Sequence, residues 1–176
     1  NHLVDQLLVL ARYENEKQTL KKEPVYLNGV LLDTLARQSA FIESKEISIQ
    51  TELEDDFYCL SDHHFVSIIV TNLISNALKY SKTGQSPSIT IYSEQIEGRR
   101  LGTAVPHLDK TYNAITIQDN GIGFDIEFRD KIFQIFRRLH TQENFSGKGI
   151  GLAICQRVMA NHNGVIIADA KPGEGA

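Results

Sequence analysis

The sequence predicts an α+β domain in which one sheet, mixed or antiparallel, is covered on one face by helices. Three observations predict it. Residues 62–80 carry a long helical repeat of apolar side chains, namely Val66, Val70, Leu73, Ile74, Ala77 and Leu78. Short stretches on either side alternate apolar with polar residues, as half-buried strands do. Strands and helices also follow one another without regular βαβ alternation, which argues against an all-parallel sheet.

From the N-terminus, Leu3, Val4, Leu7, Leu8, Leu10 and Ala11 recur at helical spacing, and a charged run over 12–22 follows. This reads as the end of a longer helix plus a polar linker, so residues 1–23 form an appendage and 24–176 the domain. A second helix is expected over 27–43, with Leu31, Leu32, Leu35, Ala36 and Phe41 on its core face. Ile47, Ile49, Thr51 and Leu53 alternate as a strand, and 57–60 reads as its hairpin partner. Asp62 suits the N-cap of the long helix, which Gly84 and Pro87 end. Strands are expected around Ile89–Ser93 and over 114–118, with a long hairpin loop over 98–112 between them. Short helical pieces and polar loop fill 124–146, a mobile lid hinged by glycines. A strong helix covers 149–161, Asn163-Gly164 ends it through a left-handed cap, and 165–168 is a last strand.

Composition narrows the class. The 176 residues are 41% hydrophobic and 23% charged, which is ordinary for a globular domain with a real core. A formal charge of −4 argues against a nucleic-acid binder, which usually carries a basic surface. No apolar run approaches ~20 residues and no signal peptide is present. Cys59 and Cys155 lack metal-ligand spacing and read as reduced core thiols. The chain starts at Asn and Met159 is its one methionine, so it is expected to be a piece of something longer.

Chemistry concentrates in three places. Asn72, Asn76, Lys79 and Tyr80 fall within an arc of about 100° on the long helix, beside its apolar stripe. The helix can thus be buried on one side and offer amides, an ammonium and a phenol on another. Two glycine-rich turns follow, Asp119-Asn120-Gly121-Ile122-Gly123 and Gly147-Lys148-Gly149-Ile150-Gly151. Glycines let backbone N–H groups approach phosphate oxygens, and the helix after the second turn aims its positive end at them. A P-loop would need Ser or Thr after Lys148, where Gly149 stands, and a strand before it. A Rossmann fingerprint fails on the same context.

The stretch from Asn72 through Asn76, Lys79 and Tyr80 resembles the N box of the sensor histidine kinases. Asp119 to Gly123 is similar to their G1 box, Ile132 to Phe136 to their F box, and Gly147 to Leu152 to their G2 box, all in the family's order. The resemblance covers roughly residues 24–175, and residues 3–14 are similar to the end of the family's dimerisation and phosphoacceptor hairpin. It implies a two-layer sandwich of a mixed sheet and helices, the ATP-binding fold shared with gyrase-type ATPases, whose final strand would follow Ala176. It implies ATP and Mg²⁺ as cofactors. Asn76 matches the Mg²⁺-coordinating Asn, Asp119 the carboxylate that reads the adenine amino group, Lys79 a phosphate contact and Tyr80 an adenine-packing ring. Gly121 and Gly123 would lie under the nucleotide. Gly147, Lys148, Gly149, Gly151 and Leu152 would shape the turn over its phosphates, and Arg138 matches an arginine near the γ-phosphate. The catalytic set so implied is Asn72, Lys79 and Arg138.

The implied partners are a phosphoacceptor hairpin, from the same or a partner subunit, a response regulator receiver domain, and a second copy in a homodimer. The implied location is the cytoplasm. None of the histidines is followed by the acidic residue expected of a phosphoacceptor, so none is nominated. In the related ATPases a Glu stands where Asn72 stands here and activates water. An amide cannot take that proton, which favours a kinase over an ATPase. The same residues also suit a regulatory nucleotide-binding module that transfers nothing, or an anti-sigma-type serine kinase.

Overall fold

The computed structural model describes residues 22–82, 84–139 and 148–176. Among them the chain runs β1 (Glu23–Tyr26), α1 (Leu27–Arg37), α2 (Ser39–Ser44), β2 (Ser48–Glu52), β3 (Tyr58–Ser61), α3 (His63–Lys79), β4 (Ser88–Glu97), α4 (Gly98–Leu101), β5 (Thr111–Asp119) and α5 (Gly151–Asn161). Single 3-10 turns lie at Gly102–Ala104, Ile126–Phe128 and Lys131–Phe133. The appendage over 1–21, the end of the expected lid over 140–146, and Gly147 of the second glycine turn fall outside the described residues.

The main sheet has the order β2-β4-β5. β2 and β4 are parallel, from Ser48 opposite Ser88 to Glu52 opposite Tyr92. β4 and β5 are antiparallel, from Ile89 opposite Asp119 to Glu97 opposite Thr111. The sheet is therefore mixed, and the α+β expectation holds. A parallel pair needs a long crossover, which β3 and α3 supply here.

α3 starts where Asp62 accepts the backbone N–H of His64 (2.9 Å), and Tyr80 caps its end. It is buried on two sides. Val66, Val70, Ile74, Ala77 and Leu78 join a core with Leu27, Val30 and Leu31 from α1 and Ile89 and Ile91 from β4. Phe65, Ile68 and Ile69 pack instead on Ile150, Ile154 and Val158 of the α5 segment. Successive positions 65, 69, 72 and 76 lie close to one line along a helix. The face that is apolar against α5 therefore turns to amide at Asn72 and Asn76.

Several sequence expectations are corrected. β3 pairs with β1, not β2, in a separate two-stranded antiparallel sheet that pairs Tyr26 with Tyr58. Buried Phe57 presents its carbonyl to Leu27 N–H (3.0 Å), which draws the next residues alongside β1. The helix expected over 27–43 is broken at Gln38. Buried Thr34 bonds back to Val30 O through Oγ1 (2.8 Å), a pattern that bends helices. The loop expected over 98–112 is shorter, because β4 and β5 run on to Glu97 and Thr111 around α4. Helix α5 begins at Gly151 rather than Gly149. Residues 165–168 join no strand ladder among the described residues. The open edge of β5 is approached instead by Ala176, whose carbonyl accepts Asp119 N–H (2.8 Å).

Candidate functional site

Three segments converge at the C-terminal half of α3. The first is the helix itself. Asn72 donates from Nδ2 to Ile68 O (2.9 Å), and its Oδ1 faces Gly151, where any Cβ would strike it. A side chain at 151 would therefore force the Asn72 amide to move from its place at the amino end of α5. One turn on, Asn76 makes no side-chain hydrogen bond among the described residues, so its amide oxygen remains available. Lys79 donates from Nζ to Tyr80 Oη (3.1 Å) and sits over the Tyr80 ring, 4.5 Å from its centroid.

The second segment is the turn at the end of β5. Asp119 accepts Gly121 N–H on Oδ1 (2.8 Å), and Ile122 N–H donates to Tyr80 O (2.9 Å), so the turn is fastened to the end of α3. A Cβ on Gly121 would strike the Tyr80 carbonyl, which explains the glycine there. Burial pushes the Asp119 carboxyl above the usual carboxylate range, against the N–H groups of Gly121 and Ala176 and the Lys82 ammonium, which pull it down. These groups offset the cost of that burial only in part, and a donor from a ligand would offset more of it.

The third segment is the described part of the second glycine turn. Gly149 has φ +69°, and its carbonyl accepts Phe136 N–H (2.8 Å), with Phe136 itself at φ +63°. The two ends of the intervening chain are thus pinned at one point. Arg138 and Lys148 are exposed beside this junction, while Leu152 is half-buried in the first turn of α5. The α5 amino end points toward the Asn72 level of α3, giving a phosphate-sized group both backbone donors and a positive dipole end.

The structure therefore brings Asn72, Asn76, Lys79, Tyr80, Asp119, Gly121, Gly149 and Gly151 around one end of one helix. Gly123 stands further off, against the closing turn of the chain, where its Cβ would strike the Lys171 carbonyl. Sequence reading missed that turn. Gly173 N–H donates to Ile122 O (2.8 Å), and a side chain on Gly175 would collide with Asp119 O. Its signal was the run Pro172-Gly173-Glu174-Gly175, which marks a tight turn but not its target. The role of Asn120 was also missed.

Among the described residues no cluster of three His, Cys, Asp or Glu could hold a metal ion. Asn76 alone fits Mg²⁺, which commonly takes few protein ligands and fills its shell with water and ligand phosphate. Two surface concavities lie elsewhere. One is lined by Glu52, Glu54 and Tyr92 among others, the second by Lys45, Gln85 and Pro87, and neither includes a site residue.

Comparison with known proteins agrees with this geometry. Over 174 residues the chain is 31% identical to the phytochrome-like protein Cph1 of Synechocystis, covering 99% of this chain and 21% of that protein. It is 27% identical to the sensor-like histidine kinase SenX3 of Mycolicibacterium smegmatis, covering 99% of this chain and 42% of the relative. The chain spans less than half the length of these relatives. Among solved structures, full-length ShkA in complex with AMPPNP superposes with a TM-score of 0.77 at 24% identity, covering 99% of this chain and 33% of that one. The histidine kinase ThkA in complex with the response regulator protein TrrA superposes at 0.71 with 20% identity, over 99% of this chain and 45% of that one. These likenesses establish the shared fold. The family model for histidine kinase-, DNA gyrase B- and HSP90-like ATPases matches residues 61–176, the stretch that holds α3, both glycine turns and α5, and the chain belongs to that family.

Proposed function

We propose that this chain is the ATP-binding catalytic domain of a two-component sensor histidine kinase, which binds Mg·ATP and passes the γ-phosphate to a histidine on a helical hairpin. The observation that carries the reading is the α3 face. A free amide at Asn76, an ammonium at Lys79 and the Asp119 turn stand together, and no acid stands at position 72. Asn72 is bonded to its own helix and cannot take a proton from water. A phosphotransfer to a neutral imidazole needs no such base, only positioning and charge neutralisation.

Asp119 accepts from the adenine amino group, and Tyr80 packs on the ring. Lys79 and the N–H groups of Gly149 and Gly151 hold phosphate oxygens, and Arg138 reaches toward the γ-phosphate. Asn76 would be the protein ligand of Mg²⁺, which when bound neutralises charge on the β- and γ-phosphates. The proposed partners are a phosphoacceptor hairpin, within a homodimer, and a response regulator receiver domain. The proposed location of the domain is the cytoplasm.

The test is to supply the chain, γ-labelled ATP and Mg²⁺ with a separately produced histidine-bearing hairpin from a sensor kinase. Label is expected on the hairpin, stable in base and lost in acid as phosphohistidine is, and absent with Asn76→Ala. Fast ATP hydrolysis without transfer would reinstate an ATPase. Acid-stable label on serine would favour a serine kinase, and bound ATP with no transfer to any hairpin would favour a regulatory module.

A further inference from the structure

We infer that Asn120 is a positioning residue whose side chain fixes where Asp119 stands relative to the α3 face and thereby sets the preference for adenine. The inference rests on the ATP-binding reading and deepens it. Asn120 follows the last residue of β5. Its Nδ2 donates to Ser86 O (3.1 Å), its Oδ1 accepts Ser88 N–H (2.9 Å), and its own N–H donates to Ser88 O (3.2 Å). The β4–β5 ladder ends at Ile89 opposite Asp119. These three bonds extend it by one residue, with a side chain standing in for the backbone of a strand.

The other end of the same turn is tied to α3 through Ile122 N–H and Tyr80 O. The turn therefore clasps the connection between α3 and β4 at both ends, and Pro87 O in that connection also accepts Ser48 N–H from β2 (2.9 Å). Asp119 stands just before the clasp, its backbone held in the ladder opposite Ile89 and its N–H bonded to Ala176 O (2.8 Å), and its carboxylate reaches forward to Gly121 N–H inside the clasp. If the Asn120 side-chain bonds are lost, the backbone of Asp119 stays in the ladder, but Gly121, whose N–H aims the carboxylate, is held firmly from the Tyr80 side alone, and the carboxylate turns relative to Asn76. Hydrogen bonds weaken steeply with such angular drift, so base reading is the property most exposed to the loss. The site requires an amide because one donor and one acceptor are both engaged. Aspartate would set an oxygen against Ser86 O, and alanine would lose both bonds.

The test is calorimetric affinity for Mg·ATP and Mg·GTP in the whole chain, in wild type, Asn120→Ala and Asn120→Asp, each also with Asp119→Asn. Asn120→Ala is expected to weaken ATP at least tenfold and GTP less than threefold. In the Asp119→Asn background the same change is expected to leave the ATP-to-GTP ratio where it was, because the residue it positions no longer reads the base. Asn120→Asp keeps the Ser88 bond and is expected to fall between, which covers failure of the alanine variant to fold. Equal weakening of both nucleotides in folded variants would reduce Asn120 to general support and overturn the inference. Amide exchange at Gly121 and Ile122 without nucleotide is expected to quicken at least tenfold in Asn120→Ala, and unchanged exchange would overturn it independently. Wild-type protein that binds neither nucleotide would instead overturn the ATP-binding reading itself, a result distinct from either of these.

Discussion

Asp119 is costly to keep charged in the nucleotide-free protein. Its carboxyl is raised chiefly by burial, so the folded protein holds the proton more tightly than the unfolded chain does. Stability contributed by the protonated form is complete below the ordinary carboxylate value and is lost as pH rises through the raised one. Asp119→Asn keeps an oxygen for Gly121 N–H and removes the charge. The variant is expected to be at least as stable as wild type at pH 7 without nucleotide, and to lack the decline that wild type shows above the carboxylate range. It is also expected to lose about 1–3 kcal/mol of ATP affinity. Urea midpoints of both proteins between pH 4 and 7 check the first part. A wild-type midpoint that climbs with pH relative to the variant would contradict it.

At the scale of elements, the junction of Phe136 with Gly149 anchors the segment between them. A Cβ at 149 would stand 2.6 Å from Arg137 O, at a φ of +69° that side chains rarely adopt. Gly149→Ala is expected to cost ~1–3 kcal/mol of stability and to weaken ATP binding, whereas Gly84→Ala, with open space around its Cβ, would cost only the strain of its own φ of +81°. Chemical denaturation of the two variants separates crowding from φ strain, and equal losses would deny the crowding at 149. The elements differ in how far the sequence displays them. α3 and its Asp62 cap are legible because helix periodicity and capping are local, and so is the amide face, which depends on spacing alone. β1 escaped notice because four residues that include Pro24 carry little alternation. The partner of β3 could not be read because pairing is decided by Phe57 meeting Leu27, far away in sequence. Asn120 reads as an ordinary turn residue until its bonds to Ser86 and Ser88, more than thirty positions back, are seen. Periodicity reports what a residue does within its own element, and these contacts join elements.

Over the whole molecule, α3 lies between two apolar clusters and carries the ligand face at its far end. Mg·ATP bound as proposed would engage α3, the β5 turn and α5 together, so binding and folding would be linked. At a hundred times the dissociation constant, a ligand specific to the folded state adds about 2.7 kcal/mol. Thermal unfolding is therefore expected to shift upward with Mg·ATP and much less with ATP alone, and an equal shift in both would remove the metal from the account. The parallel pairing of β2 with β4 has a kinetic consequence as well. Unlike β4 and β5, which are closer in sequence, Ser48 and Ser88 lie on either side of β3 and α3, so their pairing closes a long stretch of chain. Contacts so distant in sequence form slowly, because loop-closure entropy is lost before they are rewarded. On a ribosome, a chain that has emerged only as far as α3 has no β4 to cover Val70, Ile74 and Leu78, and no Asp119 with which to recognise a nucleotide. A nucleotide that protects the finished domain from unfolding cannot assist the nascent one, in which α1 covers α3 but the side awaiting β4 stays open to misassembly.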